Sequence, residues 1–239
     1  MTEGLAMKRK SIAFIIIAAM LLTMASFSLT FADTAAPGKA VVKSAKAKTA
    51  SKKTGKANVT IKWKKQKGIS SYQIYLKRLD GDWKCVKTVG SKKTSAKIKA
   101  YVGKNYVQVR AIKKVGDQSL AGPFSNAKTF KVKAKMTLQK YLKKHGSQRK
   151  ALEKAATDNG TALQIRDNDL IYIYDLAKNI DASAITPALV AELDQELTRQ
   201  SSTFINAAKA LNRGCGIGGC RVIAKYVHNG SPVLIREFY

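Results

Sequence analysis

Between Pro37 and Val132 the apolar residues fall in seven short runs, "VVKSAKA", "NVTIKW", "SYQIYLK", "WKCVKTV", "SAKIKA", "NYVQVRAIKKV" and "KTFKV", alternating with polar residues inside each run. A side-chain period of two buries one face of a strand and wets the other, so this stretch is suited to half-buried antiparallel strands. Clusters of Gly, Ser, Lys and Asp separate the runs, which predicts a seven-stranded antiparallel sandwich over residues 37–133. Val59, Ile61 and Trp63 share one face of the second run, and Val107, Val109 and Ala111 share one face of the sixth. Those two faces are expected to meet in the core. Cys85 alternates within a strand and is expected to be buried; Trp83, Tyr72 and Tyr75 read as cross-strand packing or, alternatively, as an aromatic strip for stacking sugars.

After Met136 the period moves from two toward 3.6. "TLQKYLKKHG" and "SQRKALEKAATDNG" read as two short helices stopped at Gly146 and Gly160, and "TALQIRDNDLIYIYDL" reads as a hairpin turning at Asp167-Asn168. Thr186-Pro187 supplies a cap and a first-turn proline for one long helix with Leu189, Leu193, Leu197, Phe204, Ala208 and Leu211 along a single stripe. "RVIAKYVHNGSPVLIREFY" reads as a hairpin turning at Asn229-Gly230. The fold class is therefore multi-domain: an all-β sandwich, then an α+β domain at 136–239 with an antiparallel four-stranded sheet and helices on one face. Each half has its own periodicity and the junction "KVKAK" has none, so the two are expected to fold independently.

"ANVTIKWKKQKGISSYQIYLKR" and "NYVQVRAIKKVGDQSLAGPFSNAKTFKV" together resemble the lysine-rich fibronectin type III domain of secreted Gram-positive bacterial proteins. The carriers are a Trp ending the second strand, Tyr-x-x-Tyr in the third, V-x-V-x-A in the sixth and a G-P-x-S approach to the last. The resemblance implies a spacer or adhesion module. Such domains place a tyrosine two residues before the V-x-V pair, where this chain has Asn105, so the hydrogen bond of that corner is expected to be absent or made differently. Residues 136–239 resemble a small uncharacterised domain of secreted Gram-positive proteins through T-L-x-x-Y-L, "NDLIYIYDL", the long helix and the closing Tyr226-x-x-x-Gly230 strand pair, a likeness that implies no activity.

The formal net charge is +29, and it is unevenly spread. Residues 33–135 hold 27 Lys/Arg against 4 Asp/Glu, a net of +23, whereas residues 136–239 hold 14 against 10, a net of +4. Only Arg78 and Arg110 are arginines in the basic half. Lysine is a hydrated point charge without the bidentate fork of guanidinium, so the surface suits diffuse polyanion attraction and not specific nucleic-acid readout. Lys62, Lys64, Lys65, Lys67, Lys92, Lys93, Lys97 and Lys99 are the candidate contacts, with anionic cell-wall polymers or a membrane surface as the partner. The alternative is that these lysines only solvate exposed strand faces.

Lys8, Arg9 and Lys10 precede an uncharged apolar stretch from Ser11 to Ala32 that ends in small residues. Residues 1–32 read as a secretory signal cut between Ala32 and Asp33, with an uncleaved anchor as the alternative. The expected product is secreted or extracellular, and is either soluble or held at the cell wall by non-covalent forces.

One motif suggests chemistry. "NRGCGIGGCR" holds G-x-G-x-x-G at Gly214, Gly216 and Gly219. A dinucleotide fingerprint needs a strand before the glycines and a helix after them. Here a helix ends near Arg213 and a strand begins at Arg221, so the loop would aim a negative helix end at phosphate. Cys215 and Cys220 are a disulfide candidate across flexible glycines, with two free thiols as the alternative; the only histidines, His145 and His228, complete no zinc set. There is no G-x-S-x-G, no H-E-x-x-H and no other nucleophile-base spacing, so neither an enzyme nor a cofactor is expected. The expectation is a binding or scaffold protein; the alternative is a regulator or inhibitor whose C-terminal domain binds another secreted protein.

Overall fold

A computed structural model describes residues 35–239; the expected signal segment and its expected cleavage site between Ala32 and Asp33 lie outside the described residues. Eight strands build the sandwich: β1 (Val42–Ala47), β2 (Lys56–Trp63), β3 (Ser71–Arg78), β4 (Lys84–Gly90), β5 (Ser95–Tyr101), β6 (Gly103–Val115), β7 (Gln118–Ala121) and β8 (Lys128–Val132). One sheet runs β1-β2-β5 and the other β4-β3-β6-β7, with β8 also on β6, all antiparallel. The alternation yields seven of the eight. The addition is β7, a polar four-residue strand paired with one half of β6 while β8 takes the other half. The two apolar faces do meet: Val59, Ile61, Trp63, Val107, Val109 and Ala111 are all buried in one cluster. Cys85 is exposed, not buried, because β4 is an edge strand whose residues are nearly all open to solvent.

Asn105 replaces the corner tyrosine by a different device. It is buried, and its Nδ2 donates 2.9 Å hydrogen bonds to the carbonyls of Tyr101 and Gly103, closing the β5–β6 corner.

The second half comprises α1 (Leu138–Lys144), α2 (Gly146–Asp158), β9 (Ala162–Arg166), β10 (Asp169–Asp175), two 3-10 turns (Leu176–Lys178 and Ala182–Ala184), α3 (Pro187–Arg199), α4 (Ser201–Gly214), β11 (Arg221–His228) and β12 (Ser231–Phe238). Thr137 and Thr186 cap α1 and α3, accepting from Lys140 N and Leu189 N. Asp167 and the Asn229-Gly230 pair take the left-handed conformations that two-residue hairpins demand. Gly146 opens α2 and does not stop α1, which ends at His145. The long helix divides at Gln200, whose own N–H is held by Glu196 O and whose neighbours Ser201, Ser202 and Thr203 favour a fresh start over continuation.

The four-stranded sheet is mixed, in the order β12-β11-β10-β9, and the wholly antiparallel expectation is corrected. Each hairpin is antiparallel within itself, but β10 and β11 pair in parallel from Asp169↔Arg221 to Asp175↔Val227. The helical crossover through α3 and α4 carries the chain back to the end at which β10 began, and that return forces the parallel pairing. Leu138, Leu142, Leu197, Phe204 and Ala208 from the helices pack with Leu170, Val222, Ala224 and Phe238 from the sheet. Ile171 and Ile223, on the opposite face, are also buried.

The two halves have separate apolar clusters, yet Ala36–Tyr239 forms one compact unit. Between the two clusters lies a polar junction that periodicity does not reveal. Arg221, fully buried, donates from Nε and Nη2 to the Asp169 carboxylate at 3.0 and 3.1 Å, from Nη1 to Glu237 and from Nη2 to the carbonyl of Leu79 in the sandwich. Arg78 of β3 reaches across to Asp169 at 2.6 Å and to the carbonyl of Gly219 at 3.3 Å. Arg166 grips Asp80 at 2.5 Å.

Candidate functional site

The glycine loop now has a function, and it is packing. An added Cβ at Gly218 would lie 2.1 Å from the carbonyl oxygen of Lys53, and one at Gly55 would lie 2.1 Å from the carbonyl oxygen of Gly218. The loop before β11 and the β1–β2 turn thus meet backbone to backbone, joined by the Gly218 N–H to Lys52 O hydrogen bond of 2.9 Å. Gly216 and Gly219 have positive φ, as the tight turn requires.

Cys215 and Cys220 are free thiols, and the expected bridge between them is not formed. Asn212 Oδ1 accepts from the Cys220 N–H at 2.9 Å, and the Cys220 thiol turns to the carbonyl of Ile217 at 3.3 Å. Burial, with the neighbouring Cys215 second, pushes the Cys220 thiol up to about 12, and burial also raises Cys215. Among the described residues, no three His, Cys, Asp or Glu side chains are grouped to hold a metal ion.

At the junction, burial pushes the Arg78 guanidinium below its ordinary value, although Asp169 pulls it upward. For Arg221 the same burial penalty is outweighed by its hydrogen bonds and charge interaction with Asp169, so its value is raised. This cluster is a structural lock: its carboxylates are occupied by guanidinium groups.

The eight candidate lysines are all exposed, and the fold gathers them on one side. Lys62 of β2 and Lys97 and Lys99 of β5 project from the outer face of the three-stranded sheet, where Lys62 lies opposite Ser95, Thr60 opposite Lys97 and Asn58 opposite Lys99. Neighbouring strands are about 4.8 Å apart, so these ammonium groups share each other's field. Lys64, Lys65 and Lys67 lie in the β2–β3 loop, and Lys92 and Lys93 in the β4–β5 turn. Hydrogen bonds from Ser91 N to Ser70 O and from Trp63 N to Thr94 O tie that loop and turn together. They stand at the end of the sandwich away from Gly55 and the junction.

The register also brings in lysines that the sequence reading missed. Lys46 lies opposite Thr60, Lys56 opposite Tyr101, and Lys87 donates to the Lys97 carbonyl at 3.1 Å. Their signal was the alternation itself, since outward positions of paired strands must share a face. Both arginines of the basic half are withdrawn from this surface. Arg78 is in the junction, and Arg110 packs between the rings of Tyr75 and Phe124 while donating to Gln73 and to the Tyr75 hydroxyl. Tyr72 is buried against Trp63, with ring centroids 5.3 Å apart, so of the three aromatic candidates only Trp83 is exposed.

Two hollows stand beside these features. A cleft of about 580 Å³ lies where the β3–β4 turn meets β12, lined by Trp83, Tyr106, Asp82 and Lys84 among others. An apolar groove of about 520 Å³ lies between α2 and α4, lined by Leu142, Leu152, Leu170, Tyr172 and Leu211. Among the described residues, no helix is long and apolar enough to cross a membrane.

A family model described as "Domain of unknown function (DUF4854)" matches residues 138–238. No curated protein matches the chain. Among solved structures, a β-1,2-glucanase from Parabacteroides distasonis is 20% identical over 46% of this chain and 15% of the glucanase, with a TM-score of 0.33. The chain thus spans well under two thirds of that enzyme. The fibronectin domain of human contactin 1 is 20% identical over 43% of this chain and 84% of its own, with a TM-score of 0.33. The sixth fibronectin type III domain of human fibronectin type III domain containing protein 3 is 17% identical over 44% and 94%, with a TM-score of 0.31. The chain is therefore similar to fibronectin type III domains at low identity, and its residues 138–238 match a family of unknown function.

Proposed function

We propose that this is a secreted, non-enzymatic surface-associated binding or scaffold protein of a Gram-positive bacterium, whose lysine-rich sandwich contacts anionic envelope polymers. The observation that carries the reading is the lysine face: Lys62, Lys97 and Lys99 on one outer sheet face, continued by the β2–β3 and β4–β5 loops, with both arginines diverted into packing. Unpaired, hydrated ammonium groups on a flat sheet attract a charged polymer without reading its sequence. The α+β domain, joined through the polar junction, is then carried by the sandwich.

The competing regulator reading asks for an exposed apolar patch on the sheet face away from the helices. That face carries buried Ile171 and Ile223 beside Asp169, Arg221 and Glu237. Among the described residues, the exposed large hydrophobics are Val41, Trp83, Val86, Phe124 and Tyr239, none of them in β9–β12. The test is co-sedimentation of the protein with a purified phosphodiester wall polymer and with neutral dextran across a salt series. Retention on the first alone, lost at high salt, is the expected result; equal retention on both would sink the reading.

A further inference from the structure

We infer that the cleft between the β3–β4 turn and β12 is a carbohydrate site, in which Trp83 and Tyr106 take the C–H faces of a neutral pyranose ring and Asp82 and the flanking lysines take its hydroxyls. The inference is independent of the polyanion reading and rests on four observations.

The turn is held before any ligand arrives. Leu79 N–H donates to Lys104 O at 2.9 Å, the Leu79 carbonyl accepts from Arg221, and Asp80 is gripped by Arg166 at 2.5 Å. Gly81 sits so close to the Glu237 carboxylate that an added Cβ would lie 2.7 Å from it. A five-residue turn fixed at both domains does not have to be ordered on binding, which removes a major cost of recognition.

Trp83 is one of the few large apolar side chains left open, at 37% exposure, and it lines the cleft together with Tyr106. An open indole on a rigid turn is a large flat apolar surface with one polar edge. The cleft is also of the right size: about 580 Å³ falls within the roughly 300–1,000 Å³ range of small-molecule sites.

Charge selects among ligands. Lys77, Lys84 and Arg236 line the cleft, balanced by Asp80, Asp82 and Glu237. Asp80, Glu237 and Arg236 are already taken by Arg166, Arg221 and Asp194; Lys84, 3.9 Å from Glu237 and largely exposed, keeps donors to spare and with Lys77 and Asp82 offers donors and an acceptor at the mouth. A quaternary ammonium would meet Lys77 and Lys84, and an anion would meet the Asp82 carboxylate. A ligand that is uncharged, flat on one side and ringed by hydroxyls meets no repulsion and satisfies both kinds of polar group.

The chain has two tryptophans, and the other, Trp63, is 2% exposed in the sandwich core, so it serves as a silent internal reference. The test is titration of the whole protein with chitohexaose and with cellohexaose, followed by tryptophan emission and by calorimetry, with dextran sulfate and tetramethylammonium as charged controls. Expected is a saturable response to at least one neutral oligomer. Calorimetry should show a loss of at least tenfold in affinity for Trp83→Ala and a smaller loss for Trp83→Phe, which keeps a ring. Asp82→Ala should weaken binding as well, and a Lys140→Glu/Lys143→Glu/Lys144→Glu variant, on α1 and outside the cleft, should leave it unchanged. No saturable response to either neutral oligomer, undiminished binding by Trp83→Ala, or a response to the charged controls alone would overturn the assignment.

Discussion

Two glycines in "NRGCGIGGCR" carry different physics at the level of single residues. A Cβ at Gly218 would collide with backbone of the β1–β2 turn, whereas one at Gly214, in the last turn of α4, would meet nothing within 4 Å and needs no positive φ. Gly218→Ala should therefore cost roughly 1–3 kcal/mol or more, as overpacking against backbone does. Gly214→Ala should be neutral or stabilising by up to about 1 kcal/mol through helix propensity. Urea unfolding of the two variants checks this, and equal losses would mean that the close approach of the two backbones is not what holds the loop. The cysteines form a second contrast. Cys85 is exposed, while Cys220 is buried with its thiol pushed up to about 12. At pH 8 an alkylating reagent followed by mass spectrometry should modify Cys85 first and Cys220 only when the protein is unfolded. The sign of the linkage follows: Cys220 keeps its proton in the folded state after the unfolded chain has lost it. Its stabilising contribution is complete below about pH 9 and is lost as pH rises toward 12, so stability should fall over that window less steeply in Cys220→Ala than in the parent.

Among the elements, the local signals were legible and the non-local ones were not. Alternation in β2 and β6, the Thr186-Pro187 cap and the Asn229-Gly230 turn each act over a few residues, and the structure bears them out. The parallel pairing of β10 with β11 depends on where a long helical crossover returns the chain, which neither strand's sequence encodes. The junction was hidden for a similar reason. Arg78, Asp169, Arg221 and Glu237 lie far apart in sequence and look like ordinary surface charges until β3, β10, β11 and β12 bring them together. Removing one member of such a buried cluster leaves its partners uncompensated, at a cost of about 3–5 kcal/mol. Arg221→Met should be destabilising on that scale, whereas Arg199→Met, which ends an exposed pair with Glu196, should leave the denaturation midpoint nearly unchanged. Chemical denaturation of both variants decides it; a similar small loss at Arg221 would make the junction an incidental contact.

At the scale of the whole molecule, the lysines of the β2–β3 and β4–β5 loops stand at the end of the sandwich away from the junction, whereas Lys99 shares a hollow with Arg78, Glu237 and Tyr239, so a polymer lying along the whole face would run from the loops toward the junction. The site was half legible: the eight lysines were nameable from the charge split, but their common face follows only from the pairing of β1, β2 and β5. On the proposed function this face, and not net charge as such, binds the polymer. Two variants with the same change in net charge separate the two ideas: Lys62→Glu/Lys97→Glu/Lys99→Glu on the sheet and Lys140→Glu/Lys143→Glu/Lys144→Glu on α1. Retention on a purified phosphodiester wall polymer is measured for both and for the parent between about 0.1 M and 1 M salt, over which the Debye length falls from roughly 10 Å to 3 Å. The account predicts that the sheet variant loses binding already at the lowest salt, while the α1 variant binds like the parent and is released with it as salt rises. Equal loss in both variants, or retention that salt does not weaken, would contradict it.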